Sequence, residues 1–410
     1  MILAKFGFNG PRSVVQRRRT CVALAIGLLA TVTGAAPARA QTYSESLVCS
    51  CEPWLNAALI LDAEGNLYTT TVAGGDFGIG TVIQVDAAGT QTTLYSFSET
   101  GFRQAAGGSN PRADLIRDPA GNFYSTTFGG GASGAGVVFK LDPAGNESVL
   151  YSFTGGADGA NPVGGVIADP AGNLYGTTYR GGSSSAGVVF KLDPAGNETV
   201  LHSFTGGADG GQPAAGVIRD SAGNLYGTTE RGGGSNSGVV FKLDAAGNET
   251  VLHSFRGGAD GAQPAAGVIQ DSAGNLYGTT QGGGGTGFGT VFKVDTAGHE
   301  TVLHSFTGAP SDGAYPSAGL LLGPAGNLYG TTTAGGSGRD GAGGGLEGGV
   351  VFEVDTAGHE TVLHNFIGGP TDASNPKAPL VRDAAGNLYG TTWYGGGSNQ
   401  GAIYELKPQR

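Results

Sequence analysis

The chain has 410 residues, 80 of them glycine, with a formal net charge of −11 and three cysteines. Glycine at that level without a Gly-X-Y period excludes collagen, and the short, evenly spaced apolar runs exclude a disordered polar chain. So few cysteines exclude a disulfide scaffold, leaving packing to supply stability.

In chain order, residues 1–40 read as a secretory leader. Lys5, Arg12, Arg17, Arg18 and Arg19 form a basic start, residues 21–33 a short apolar run, and Ala38-Arg39-Ala40 a cleavage site. The apolar run is too short and wrongly flanked for a transmembrane helix. Cleavage after Ala40 leaves 16 Lys and Arg against 33 Asp and Glu, a net charge of −17. Such a surface repels nucleic acid and anionic lipid, so neither is an expected partner, and no membrane insertion is expected after cleavage. The expected location is extracellular or periplasmic. Cys49 and Cys51 remain, and an i,i+2 bridge between them would be geometrically strained; whether it forms stays open.

Residues 41–410 form one repeat array. Its marker tyrosines are Tyr68, Tyr124, Tyr175, Tyr226, Tyr277, Tyr329 and Tyr389, spaced by 56, 51, 51, 51, 52 and 60 residues. Periods near 50 residues carrying only β-signals indicate propeller blades. In the clearest copy, residues 213–255, four strands are predicted: A at 215–218, B at 224–229, C at 239–243 and D at 249–255. All are rich in β-branched and aromatic residues, and none has a 3.6-residue period. The A–B and C–D turns share Asp-x-x-Gly-Asn, in which Asp opens a type I turn and Gly supplies a positive φ. The B–C and D–A connections are longer and Gly-rich, and antiparallel pairing puts both on one face. Strands A, B and C occur seven times, but no strand D follows the last copy. Glu45-Ser46-Leu47-Val48-Cys49-Ser50 echoes residues 198–203 and is expected to complete the last blade, closing the ring.

The block PxAGVIxDxxGNLYGTT…GVVFKLD resembles the NHL-type and gluconolactonase-type propellers and, more closely, the GloVer (Gloeo/Verruco) tandem repeat of bacterial surface proteins. Gly-Asn-Leu-Tyr-Gly-Thr-Thr recurs unchanged from Gly172, Gly223, Gly274, Gly326 and Gly386. The resemblance implies an all-β, seven-bladed propeller of four-stranded blades with an extracellular or envelope role, and it brings no activity. Such proteins often end in a sorting anchor; this chain ends in Lys407-Pro408-Gln409-Arg410, so release is the expectation.

Repetition filters the candidate chemistry, because a residue that recurs in every blade serves the blade. His202, His253, His304 and His364 share one strand D position, occupied earlier by Tyr95 and Tyr151. Strand D is outermost, so equivalent residues on adjacent blades are expected to lie too far apart to share a metal. Most aspartates open turns. A second series, which includes Asp158, Asp209 and Asp260, sits in the D–A loops; these are candidate Ca²⁺ ligands set against turn capping, and no cofactor is expected otherwise. G-x-G-x-x-G matches at 129–134 and 282–287 lie between strands with no helix to receive a phosphate.

What varies between blades lies on the long-loop face. After the second Thr of each strand B come Val72, Phe128, Tyr179, Glu230, Gln281, Thr333 and Trp393, followed in three blades by Arg180, Arg231 and Tyr394. Phe77, Phe102, Arg103, Arg256, Phe288 and an insertion with Arg339, Asp340 and Glu347 lie nearby. The candidate ligand-binding set is Phe128, Tyr179, Arg180, Glu230, Arg231, Trp393 and Tyr394, suited to a polysaccharide or a surface protein through stacking and a few hydrogen bonds. In strand A, Asp114 is the one ionisable residue in a series of small ones, a candidate metal ligand or general base. The expected function is a non-catalytic binding or scaffold module. The alternatives are a lactonase-like hydrolase or polysaccharide lyase with a channel metal, and a purely structural envelope protein.

Overall fold

The computed structural model describes residues 42–51, 54–98, 107–308, 310–337 and 347–409; the predicted leader lies outside them. Gln41–Arg410 forms one compact unit. The described residues contain strands and no helix.

Seven antiparallel sheets of four main strands follow the order A-B-C-D. In blade 4 these are Ile218–Arg219, Leu225–Thr229, Val239–Leu243 and Glu249–Ser254. Strand C matches its predicted span, whereas strand A is displaced and shortened. It pairs with B only through Ile218↔Tyr226 and Arg219↔Leu225. The cause is convergence at the ring axis, where residues 215–217 pack against the neighbouring blade's backbone rather than along strand B. A Cβ on Gly216 would sit 2.7 Å from the carbonyl oxygen of Gly165, which is why glycine fills this position in the four blades with Gly165, Gly216, Gly267 and Gly319.

The Gly-Thr-Thr signature has a separate role at each position. Gly227 leaves room for the Phe241 ring, whose Cζ would lie 2.6 Å from an added Cβ. Thr228 donates to the carbonyl of Ala266 in the next blade at 2.7 Å. Thr229 donates to Arg231 O at 2.8 Å and holds the start of the B–C loop. The inter-blade bond recurs in every blade but the sixth, where Thr331 lacks it, and crosses the closure seam as Thr391 Oγ1 to Ala57 O, 3.4 Å.

The core is an aromatic ladder between blades. The residue after each strand D packs edge-on against the next blade's strand C, as in Phe204–Phe241 at 5.2 Å and Phe255–Phe292 at 5.1 Å. All four rings are fully buried. Each contributes about 1.5–3 kcal/mol of burial free energy.

Closure follows the expected latch. Tyr43–Cys49 pairs antiparallel with Ala402–Pro408, from Tyr43↔Pro408 to Cys49↔Ile403. Cys49 and Cys51 are joined by a disulfide with Cα atoms 5.3 Å apart. Cys51 takes the ladder position of phenylalanine and packs in one cluster with Ile83 and Ile403.

Candidate functional site

Two columns of the repeat meet at the long-loop end of the central channel. One follows strand B and carries Phe128, Tyr179, Glu230, Gln281, Thr333 and Trp393. The other opens strand A, after a proline in six blades, and carries Asn56, Arg112, Val163, Ala214, Ala265, Ser317 and Lys377. The second column, with Glu230, Gln281 and Thr333 of the first, lines a cavity of about 670 Å³ that reaches down to Asp114.

The mouth is chemically lopsided. Blades 3 to 5 supply Val163, Ala214 and Ala265, while blades 2 and 7 supply the two cations. Arg112 lies over the Phe128 ring at 4.5 Å, and the Lys377 ammonium lies 4.3 Å from the Trp393 centroid. Partial burial, and then the nearby charge of Arg112, hold the Lys377 ammonium below its ordinary pKa. The Lys and Arg ion pairs among the described residues are Arg117 with Asp62 and Lys407 with Glu405, so neither mouth cation has an acidic partner.

Opposite them, Tyr179 donates to Glu230 Oε2 at 3.1 Å and to Gln212 Oε1 at 3.3 Å. Burial raises the Glu230 pKa, against the opposing effect of that phenol. Asp114 Oδ1 accepts the Ala58 amide of the neighbouring blade at 2.6 Å. Burial in the channel pushes its pKa up, and the amide bond opposes this. Asp114 thus tethers two strand A segments and faces the cavity. Among the described residues no set of three metal-ligating side chains converges on the channel.

The candidate set therefore divides. Glu230 lines the mouth, Tyr179 is hydrogen-bonded to it, and Phe128 and Trp393 stand against the two cations on its lining. Trp393 also stacks on Trp54, with centroids 5.9 Å apart and planes 8° apart, so its ring is already engaged. Arg180 and Arg231 are exposed and do not line the cavity, with their backbones bridged to Ala160 and Gly211, although both charges act on Tyr179 and that of Arg231 on Glu230. Tyr394 is 43% exposed and lines a separate groove of about 650 Å³ with Ile367, Asn375 and Asn399. Phe102, Arg103, Arg339 and Asp340 lie outside the described residues, as does the side chain of Glu347. Arg112 and Lys377 escaped sequence reasoning because they sit in the strand A column rather than in a loop. Comparing that column across blades would have singled them out.

The D–A aspartates cap their loops. Asp158 accepts the Thr154 amide at 2.7 Å and the Tyr151 hydroxyl at 3.1 Å. Asp209 accepts the Thr205 amide at 2.8 Å, and Asp260 the Arg256 amide at 3.0 Å.

Fold and channel together define a repeat-built, seven-bladed β-propeller with one differentiated axial mouth. The chain belongs to the Gloeobacter/Verrucomicrobia repeat family, whose model matches residues 55–273 and 250–410. Among curated protein sequences none matches it. Of solved structures, a protein provisionally named 6-phosphogluconolactonase from Bacteroides uniformis is similar at TM-score 0.51 and 18% identity, over 79% of this chain and 88% of that one. A protein provisionally named gluconolactonase aligns at TM-score 0.45 and 13% identity, over 90% and 92%. At such identities the likeness is one of fold.

Proposed function

We propose that the chain is an exported, non-catalytic binding propeller whose axial mouth takes a carboxylated saccharide. The observation that carries this reading is the pair Arg112 and Lys377, two unpaired cations at one side of a cavity of ligand size. A carboxylate satisfies them, while Asn56, Glu230, Gln281, Ser317 and Thr333 on the same lining match sugar hydroxyls. Placing an anion there also relieves the repulsion that lowers the lysine's proton affinity.

Calorimetric titration with oligogalacturonate and oligoglucuronate, against neutral glucans of equal length, tests it. Acidic oligomers are expected to bind and neutral ones not to. R112A/K377A is expected to weaken binding at least about 100-fold, each charge-assisted contact contributing about 1.5–3 kcal/mol. Binding unchanged in that double variant would remove the proposal.

A hydrolytic reading has one observation in its favour: Asp114 and Glu230 face the same cavity and both are biased toward the protonated form. Turnover of a sugar lactone, lost in D114N with the fold intact, would put it ahead.

A further inference from the structure

The strand D histidines are not isolated. Each stands in the crevice between two blades, facing the aspartate of its own D–A loop and the first glutamate of the next blade's strand D. In two crevices the three side chains converge. His304, Asp312 and Glu360 meet between blades 5 and 6, and His364, Asp372 and Glu45 between blades 6 and 7, with ligand atoms within 4.8 Å of one another. The ligand sets pair each histidine with two carboxylates rather than with the equivalent histidine of the next blade, which the sequence expectation concerned.

Loop length explains why these two crevices differ. Asp209 and Asp260 follow their histidines by seven residues, whereas Asp312 and Asp372 follow by eight. The added residue turns the carboxylate inward. Side-chain exposure falls from 16% at Asp209 and Asp260 to 9% at Asp312 and 8% at Asp372. In the deeper position Asp312 Oδ1 accepts the Gly313 amide at 2.6 Å and Oδ2 the Thr307 amide at 2.7 Å. Both oxygens still face His304 Nε2, at 3.4 and 3.3 Å. The imidazole is held edge-on against Phe306 at 4.7 Å, and that of His364 against Phe366 at 4.7 Å.

What the crevices lack is a Lys or Arg cation. Oε1 of Glu360 and of Glu45 is buried without a hydrogen-bond partner, as at Glu147, Glu198, Glu249 and Glu300 round the ring, and so is Nε2 of His364, as at His202 and His253. The charges acting on Glu360 are Asp312 and His304, and those on Glu45 are Asp372 and His364, with no Lys or Arg. The crevice between blades 4 and 5 differs, because Arg256 acts there on Glu300.

We infer that the two deep crevices are binding sites for a transition-metal dication of the Zn²⁺ type, each formed by one imidazole nitrogen and two carboxylates from adjacent blades. The donor set selects the metal: imidazole with carboxylates suits Zn²⁺, whereas Ca²⁺ needs six to eight oxygens. Ligand atoms around Zn²⁺ stand about 3.3 Å apart given bonds of about 2 Å. Three protein ligands leave a coordination position for water, so the site is complete without further residues. The site made with Glu45 also joins the closing strand to blade 6.

The test is calorimetric titration of ZnCl₂ into the EDTA-stripped, dialysed protein, beside variants E360Q, E45Q and E360Q/E45Q. A second set, H299N/H359N, restores the repeat residue at two exposed turn histidines and controls for surface binding. Melting curves without metal verify that each variant is folded. Each single glutamine variant is expected to bind one Zn²⁺ fewer than the unaltered protein and the double variant two fewer, with no loss of either site in the control. Any other difference overturns the assignment: equal stoichiometry in the double variant, loss confined to the turn histidines, or no binding at all.

Discussion

Tyr329 and Glu353 are joined by a 3.1 Å hydrogen bond that takes the place of one made by other blades inside the A–B turn. In blade 4, Tyr226 donates to Asp220 Oδ2 at 3.0 Å, and the same aspartate accepts Asn224 Nδ2 at 2.7 Å. Blade 6 has Gly323 where that aspartate belongs, and its strand C has Glu353 where four other blades have lysine. Asn327 and Tyr329 both turn to the glutamate. Two departures from the repeat thus compensate one another.

This compensation is testable as a double-mutant cycle. Glu353→Lys alone is expected to destabilise the protein by about 1–3 kcal/mol, since it strands two polar groups. Adding Gly323→Asp should recover most of that loss, although the new Cβ displaces the Tyr329 ring, now 2.7 Å from its position. Urea denaturation of the four proteins gives the coupling energy, and a value within about 0.5 kcal/mol of zero would contradict the account.

Asp114 has a structural task that is separable from any chemical one. Asn keeps the acceptor for the Ala58 amide, so Asp114→Asn is expected to leave stability unchanged or slightly improved at neutral pH. Asp114→Leu leaves that amide unpaired and should cost about 1–3 kcal/mol. Equal losses in both variants, measured by chemical denaturation, would show that the carboxyl does something other than accept this bond.

The closing strand should behave as a separable part. Removing Tyr43–Cys49 exposes the edge of Ala402–Pro408 and the packing of Tyr43 and Leu47 against their cluster. A loss of about 3–6 kcal/mol is expected from those two side chains, along with self-association through the bared edge. A peptide of residues 42–51 added in trans should restore the melting temperature. A truncated protein that stays monomeric and melts as before would show the latch to be dispensable.

Stability should peak in mild acid. Burial, and then Asp158, Asp209 and Asp260 respectively, raise the pKa of Glu198, Glu249 and Glu300 from 4.5 to about 7. Below pH 4.5 these carboxyls are protonated in both folded and unfolded chains, and their contribution is fully present. As pH climbs toward 7 the unfolded chain gives up protons that the folded chain retains, and stability falls. The turn aspartates act oppositely. Partial burial works against Asp118, Asp169 and Asp220, but hydrogen bonds from the following Asn and Tyr hold them below 3.8, so their contribution disappears as pH drops beneath that value. Calorimetric melting from pH 3 to 8 should show a maximum at roughly pH 4–5. A melting temperature that rises steadily to pH 8 would refute this balance.

The fold was largely legible because each blade repeats the same local instructions. Asp-x-x-Gly-Asn marks a turn wherever it stands, and the echo of residues 198–203 at residues 45–50 identified the closing strand. Strand A was misplaced because its residues answer to the neighbouring blade's backbone, as Gly216 does to Gly165, and no single-blade pattern records that. The mouth was half legible. Phe128, Tyr179, Glu230 and Trp393 stood out as variable, whereas Arg112 and Lys377 become visible only when the first residues of strand A are compared down the ring. The crevices were not legible, since His304 and Glu360 belong to different repeats and only the ring brings them together.

The extra residue in the D–A loops of blades 5 and 6 also bears on how such a protein changes over time. A crevice walled by two blades can be given new chemistry by lengthening one surface turn by a single position, while the strands, the aromatic ladder and the axial channel stay as they were. A ring of this kind is a row of independent slots, each open to revision without disturbing the others.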